Sequence, residues 1–357
     1  MLDVRRDHSC CDRRTGAAAW ASADRVARRQ LLKSAIFQPQ DGAGADGADG
    51  TDAGLPAGTF PGADVSGTAQ LPRAVMGTVL DVSPQVICIA DASGERRFAL
   101  TAAATAWRGG QLDPAAVRAG DQAVIRLDPS RRGVADRIWA NIGRVTGTIV
   151  EHSAGALLVD EGSTRHRQVV VIPPRAAGRI QVRFPTLQPG FLIDVIGIRR
   201  GDELQGLVPA TSQPAYRSDA LPAPALVSGH VPDAISGSAT WHEPSGERDA
   251  LQGVAYPAID PSTGCAEEAG GRSSRGYVRM PYLAIGSILL IRNECTGSSC
   301  VLPVIGCAAV ARLFNDRCVT CSTSRRGRVA DLTLASFVAL GGELERGCFS
   351  ATITIGR

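Results

Sequence analysis

The chain has 357 residues, 44% of them hydrophobic, which is enough for two or three domains with real cores. The net charge is only +3, aromatic residues make up 4% of the chain, and no basic stripe with interleaved aromatics occurs. We therefore expect no nucleic-acid partner. No apolar run reaches the roughly 18 residues that a membrane-spanning helix needs, so we expect no membrane span.

The first part of the chain, residues 1–70, is rich in Gly, Ala and Asp and has no sustained hydrophobic period. This composition predicts a disordered tail or linker. Within it, "ARRQLLKSA" at residues 27–35 is similar to the twin-arginine export motif, but the apolar segment that should follow is missing. The stretch is therefore either a chance basic run in the tail or a degraded or misassigned export signal.

Residues 71–144 and 145–216 are predicted to be two copies of one unit. "MGTVLDVS" recurs as "TGTIVEHS", and "VICIAD" recurs as "ALLVDE". Short β-branched segments such as "GTVLDV", "RRFALT" and "DQAVIRLD" are separated by Gly, Pro and Asp turns, which predicts about five strands per copy. A small closed barrel of the OB type suits such a unit. Two glycine pairs share one offset of 70 residues: Gly77 with Gly147, and Gly120 with Gly190.

The few aromatic residues in these copies favour a spacer or stalk role for the two barrels over ligand binding. A Pro-rich segment, residues 217–228, then predicts a semi-rigid linker. The remaining segment, residues 229–357, again has mostly β character, with strands expected at "SGSATWH", "GSILLIRN", "CAAVARLF" and "SATITIG".

One helix is predicted in this last segment. Thr333 can cap it, residues 334–340 fill it, and Gly341 ends it. Asp331 precedes the helix start, where the helix dipole keeps a carboxylate ionised. That position favours a base or a hydrogen-bond acceptor over a general acid.

Several motifs of residues 229–357 occur in the order typical of one superfamily. "SGSATWHEPSG" is followed by "IGSILLIRNECTGSSC" and then by "VARLFNDRC" and "RVADLTLASFVAL". This segment resembles the double-psi β-barrel superfamily, which includes the rare lipoprotein A lytic transglycosylases, family 45 endoglucanases, expansins and barwin. The predicted fold class is therefore all-β: two tandem OB-like barrels, then a disulfide-bonded double-psi β-barrel, after a disordered N-terminal tail.

The resemblance implies a glycan site. The aspartate that ends the D-R-C strand serves catalysis in the lytic members, and Asp316 matches it; Asp331 matches an acid lining the same groove. Glycan cleavage needs a protonated acid, and hydrolysis usually needs a second carboxylate. The histidine of the lytic members is missing here, its place being held near Tyr277. The alternative is structural: Asp316 pairs with Arg317 or Arg328, and Asp331 fixes the loop before the helix.

A sugar-binding surface is also expected, because aromatic faces suit the C–H faces of sugars. The alternative for Trp241 is a place in the core. The candidate substrate-binding residues are Thr240, Trp241, His242, Tyr277 and Tyr282.

Seven of the ten cysteines fall in the last hundred residues, a density that predicts a disulfide framework in an exported protein with one thiol unpaired. The resemblance makes Cys318 and Cys321 disulfide partners of other strands. A zinc site formed by these two with Cys295 and Cys300 is the alternative; we expect no metal and no cofactor. The seven are Cys265, Cys295, Cys300, Cys307, Cys318, Cys321 and Cys348.

Taken together, these features predict a secreted, cell-wall-associated protein whose last barrel binds wall polysaccharide of the peptidoglycan type and cleaves or loosens it. The alternative is a non-catalytic module, similar to expansin or barwin, that binds the wall or a protein partner.

Overall fold

The computed structural model describes residues 74–162, 166–211, 216–219, 234–244, 252–259, 280–318 and 327–356. These residues are nearly all β and form closed barrels, which confirms the predicted all-β class. The expected tail at residues 1–70 lies outside the described ranges, as does the expected linker after Asp219. None of the helices in the described ranges is long and apolar enough to cross a membrane.

The first barrel is a ring of five strands in the order β1-β2-β3-β6-β5, with a short β4 paired to β3. Only the β3–β6 pairing in the ring is parallel. Alternate residues of these strands point inward and bury an aliphatic core, as expected for a small closed sheet. The strands are β1 (Ala74–Val82), β2 (Val86–Asp91), β3 (Gly94–Trp107), β4 (Gln111–Leu112), β5 (Gln122–Leu127) and β6 (Val134–Ala140).

The second barrel repeats this order as β7-β8-β9-β11-β10, again with one parallel pairing, β9–β11. A helix, α1, connects β9 to β10, and its buried Ile180 packs into the barrel core. The sequence analysis did not predict this helix. The elements are β7 (Ile142–Ser153), β8 (Ala156–Asp160), β9 (Gln168–Val171), α1 (Pro174–Arg183), β10 (Leu192–Arg200) and β11 (Glu203–Pro209).

The glycine pair Gly77 and Gly147 occupies equivalent places in the two barrels. A Cβ on Gly77 would lie 2.5 Å from the carbonyl oxygen of Ala90, and one on Gly147 would lie 2.1 Å from that of Asp160. Each glycine therefore lets its strand cross the next one more closely than a side chain permits.

The second pair, Gly120 and Gly190, is equivalent too. Both have positive φ, +90° and +86°, which favours glycine. The amide of Gly120 donates to the carbonyl of Val79 at 2.8 Å, and that of Gly190 donates to the carbonyl of Ile149 at 2.8 Å. Residues 70 positions apart in the sequence therefore make the same backbone hydrogen bond in the two barrels.

The third barrel is a closed ring of six strands in the order β12-β16-β13-β15-β14-β17. Two of its pairings, β12–β16 and β13–β15, are parallel, and the other four are antiparallel. The elements are β12 (Ala234–His242), β13 (Val254–Tyr256), β14 (Ile288–Asn293), β15 (Ser299–Cys307), β16 (Arg328–Thr333), α2 (Leu334–Ala339) and β17 (Cys348–Ile355).

One predicted strand of this barrel is wrong. "CAAVARLF" contributes only Cys307 to β15, and residues 309–313 form a 3-10 helix. The backbone explains the change, because the amide of Ala308 still bonds across to Tyr256, whereas that of Ala311 bonds locally to the carbonyl of Ala308. The run of small apolar residues has the composition of a buried strand but turns at the barrel end.

The predicted helix is confirmed as α2. The hydroxyl of Thr333 accepts a hydrogen bond from the amide of Ser336 at 3.3 Å, which satisfies one of the free donors at the helix start. Gly341 follows the helix end with φ +79°. Phe337 stacks on Phe349 with ring centroids 4.8 Å apart, which holds the helix on the barrel.

The three barrels share one apolar core. Trp139 of the first barrel and Ile196 of the second belong to the same buried cluster as Trp241 of the third. Polar contacts reinforce the joint: Glu345 of the third barrel accepts a hydrogen bond from the Trp139 indole at 2.5 Å and pairs with Arg137. The third barrel is therefore packed directly against both repeats.

Candidate functional site

Asp316 lies wholly inside the protein. Its carboxylate is 0% exposed and accepts a hydrogen bond at 2.8 Å from Nε of Arg328, the first residue of β16. The Arg328 guanidinium also stacks on the ring of Phe314, 3.8 Å from its centroid. The expected structural alternative for Asp316, a pairing with Arg328, is confirmed.

Arg328 continues a chain of buried charges that crosses from the third barrel into the second. It also pairs with Asp194 on β10, which receives two hydrogen bonds from Arg144 on β7, at 2.9 and 2.7 Å. The remaining donor nitrogen of Arg144 bonds the carbonyl oxygens of two third-barrel residues, Trp241 and Gly347. We call Arg144, Asp194, Arg328 and Asp316 the buried ion-pair chain.

The charges of this chain stabilise one another. Burial by itself would raise the pKa of Asp194, but the adjacent Arg144 and Arg328 lower it below its ordinary value. Burial would likewise lower the pKa of Arg328, and the charges of Asp316 and Asp194 reverse that effect and raise it. These pairings offset the cost of burying the charges, and the side chain of Asp316 is fully buried among them.

Asp331 has a different environment. Its side chain is 20% exposed, one carboxylate oxygen accepts a hydrogen bond from the Thr240 hydroxyl at 2.8 Å, and the other lies 3.4 Å from Nδ1 of His242. The parallel pairing of β12 with β16 places Thr240 directly opposite Asp331. Sequence reasoning assigned these residues separately and missed the His–Asp pair, because only the strand register brings them together.

His242 and Asp331 line a small cleft between the second and third barrels. Its volume is about 30 Å³, and Thr146 and Glu161 of the second barrel form part of its wall. Since one water molecule needs about 10–15 Å³ on this measure, the enclosed part of the cleft has room for two or three waters. Asp316 does not line it, so the two predicted catalytic acids do not share a groove here.

The predicted sugar-stacking residues are mostly buried. Thr240 and Trp241 are 0% and 1% exposed, and the Trp241 indole donates to the carbonyl of Leu344 at 2.9 Å. Stacking of a sugar on Trp241 is thus excluded in this arrangement, and its expected alternative place in the core is confirmed. Tyr282 is 39% exposed, whereas Tyr277 lies outside the described residues.

The predicted disulfides stay a prediction. No disulfide joins two of the cysteines that the structure describes. Cys265 and Cys321 lie outside the described ranges, so neither the framework nor the alternative zinc set can be traced in full. Cys318 and Cys348 are buried neighbours: the Cys318 thiol donates a hydrogen bond to the Cys348 carbonyl oxygen at 3.4 Å. A hydrogen bond between the two thiol side chains, together with burial, raises the pKa of the Cys348 thiol.

Within the described ranges, no group of three or more His, Cys, Asp or Glu side chains is arranged to hold a metal ion. Comparison of the chain with protein-family models and with curated proteins finds no match to either.

Proposed function

We propose that this is a secreted wall-polysaccharide-binding protein whose third barrel is a non-catalytic module of the double-psi type. The burial of Asp316 carries the proposal. The resemblance gives this aspartate the catalytic role, but here the carboxylate is 0% exposed and engaged by Arg328. A carboxylate that is enclosed in the protein and bound to an arginine is not placed to reach the leaving glycosidic oxygen that a general acid must protonate.

The pairing of the third barrel supports its assignment to the double-psi type. Six strands close into one ring, and the two parallel pairs, β12–β16 and β13–β15, are each flanked by antiparallel neighbours. The motif order of residues 229–357 points to the same group. The two OB-like barrels, packed on the third through a shared core, act as a rigid support that presents it to the wall.

The pair formed by His242 and Asp331 favours a second candidate function, cleavage by a single acid–base group. Lytic cleavage forms its new ring within the sugar and so needs no second carboxylate to activate water. His242 beside the carboxylate of Asp331 is a proton carrier of suitable type, and both line a cleft. This candidate uses Asp331 and leaves Asp316 out.

Full-length protein incubated with intact peptidoglycan, peptidoglycan stripped of stem peptides, and cellulose separates the two candidates. Pelleted protein is followed by gel and released sugars by mass spectrometry. Asp331→Asn is compared with Asp202→Asn, a matched change at an exposed turn. We expect wild-type protein to pellet with peptidoglycan, to release no sugar, and to pellet equally well with either substitution.

Anhydro-sugar products that disappear in Asp331→Asn but not in Asp202→Asn would overturn the non-catalytic assignment in favour of the second candidate. Failure of wild-type protein to pellet with any of the three polymers, with no products, would refute wall binding altogether.

A further inference from the structure

A second pocket lies beside the second barrel and shares none of its described lining residues with the His242–Asp331 cleft. It is formed by helix α1, the end of β11 and Arg346 of the third barrel, and its volume is about 400 Å³. This volume falls within the range of about 300–1,000 Å³ that is usual for small-molecule sites. It is the larger of the two clefts by an order of magnitude and opens to solvent.

Three arginines surround this pocket, which we call the arginine pocket: Arg179, Arg183 and Arg346. Among the described residues that line it, none is acidic. The side chains of Arg179 and Arg346 are exposed, and neither side chain makes a hydrogen bond or ion pair with any residue that the structure describes. Most other arginines of the described barrels that face a neighbouring element are paired with an acid, as Arg137 and Arg199 are.

The rest of the wall is apolar. Val208 and Pro209 form the β11 side, and Val182 on α1 is 77% exposed, the most exposed large hydrophobic residue of those described. A ligand that suits this surface has an anionic group that can bind the guanidinium groups of the arginines. It also has an apolar face that can pack on Val182, Val208 and Pro209. A sugar ring that carries an acid has both, since its C–H face is apolar.

We propose that the arginine pocket binds an anionic sugar unit, with the acid held between Arg179 and Arg346 and the ring against Val182 and Pro209. The choice of a sugar rests on the proposed function; the choice of an anion rests on the arginines alone. The site gives the protein a preference for acidic stretches of a wall polymer, and the support barrels then take part in binding.

Titration calorimetry of the full-length protein tests this proposal. The probes are oligogalacturonate, neutral galactose oligomers of the same length, inorganic phosphate and oligoglutamate. Arg179→Gln and Arg346→Gln are compared with Arg175→Gln, an exposed arginine of the same helix that does not line the pocket. Loss of one charge-assisted contact should weaken oligogalacturonate binding roughly tenfold.

We expect oligogalacturonate to bind, the neutral oligomer to bind at least tenfold more weakly, and only the two pocket variants to lose affinity. Phosphate that displaces oligogalacturonate at equal concentration would make the natural acid a phosphate, whereas weaker displacement would make it a carboxylate. Tighter binding of oligoglutamate than of oligogalacturonate would overturn the sugar in favour of an acidic protein segment. Equal affinity of the pocket variants and wild type, or no binding of any acid, would overturn the site.

The same variants are pelleted with peptidoglycan, so that the two proposals fail separately. Wild-type protein that pellets but binds no acidic oligomer would refute the arginine pocket and leave wall binding intact. Wild-type protein that binds oligogalacturonate at the pocket but does not pellet would refute wall binding and leave the arginine pocket intact.

Discussion

Replacing Arg328 with methionine removes the central cation of the buried ion-pair chain while keeping a side chain of similar length. Asp316 then loses the hydrogen bond at 2.8 Å that satisfies one of its oxygens, and its other oxygen has no partner among the described residues. Asp194 is less affected, because Arg144 still binds both of its oxygens. Removal of one member of a buried ion pair costs about 3–5 kcal/mol, and we expect a loss of that size for Arg328→Met.

The complementary change, Asp316→Asn, should cost less, about 1–3 kcal/mol, because Arg328 keeps its pairing with Asp194. In the double variant no carboxylate is left unpaired at position 316. Its cost should therefore be smaller than the sum of the two single costs by at least about 1 kcal/mol.

Urea unfolding followed by tryptophan fluorescence measures these differences. The control is Arg200→Met on β10, an exposed arginine whose replacement should change the free energy of unfolding by no more than about 0.5 kcal/mol. If Arg328→Met costs less than about 1 kcal/mol, or if the two single costs simply add, the structural role given to the Arg328–Asp316 pair is refuted.

Two further predictions concern the second barrel. Gly147→Ala should destabilise the protein by about 1–3 kcal/mol, because the added Cβ would lie too close to the Asp160 carbonyl oxygen. Gly178→Ala on α1 places its Cβ in open space and should stabilise the protein by up to about 1 kcal/mol. Equal urea midpoints for the two variants would refute the close approach at Gly147. Since Asp194 has a lowered pKa, its stabilisation is complete above the unfolded value of about 3.9 and is lost as the pH falls through the lower folded pKa. Urea midpoints that stay constant from pH 6 to pH 3 would contradict this.

Local signals in the sequence were sufficient for much of the fold. The offset between Gly77 and Gly147 predicted two like barrels because each glycine is required by a close strand crossing within its own unit. The helix after Thr333 was predictable because its cap and its end are set by neighbours in the chain. By contrast, α1 begins with two prolines and contains Gly178, which obscure its helical character.

The candidate site was predictable only in part, because its contacts join distant segments. Asp194 and Arg328 are 134 positions apart, and nothing next to either residue in the chain indicates the pairing. The His242–Asp331 contact depends on a parallel register between β12 and β16, which no local pattern encodes. The sequence could therefore suggest which acids matter, but their burial, which separates Asp316 from Asp331, is a property of the assembled barrels.

The short turn from Glu343 to Gly347 has a consequence for how the chain matures. Its glutamates bind Arg126 and Arg137 of the first barrel, and the carbonyl of Gly347 accepts from Arg144 of the second. The third barrel follows both repeats in the chain, so during synthesis the repeats emerge with these arginines still hydrated. The charged surface of the first barrel is therefore covered only by a segment translated more than two hundred residues later.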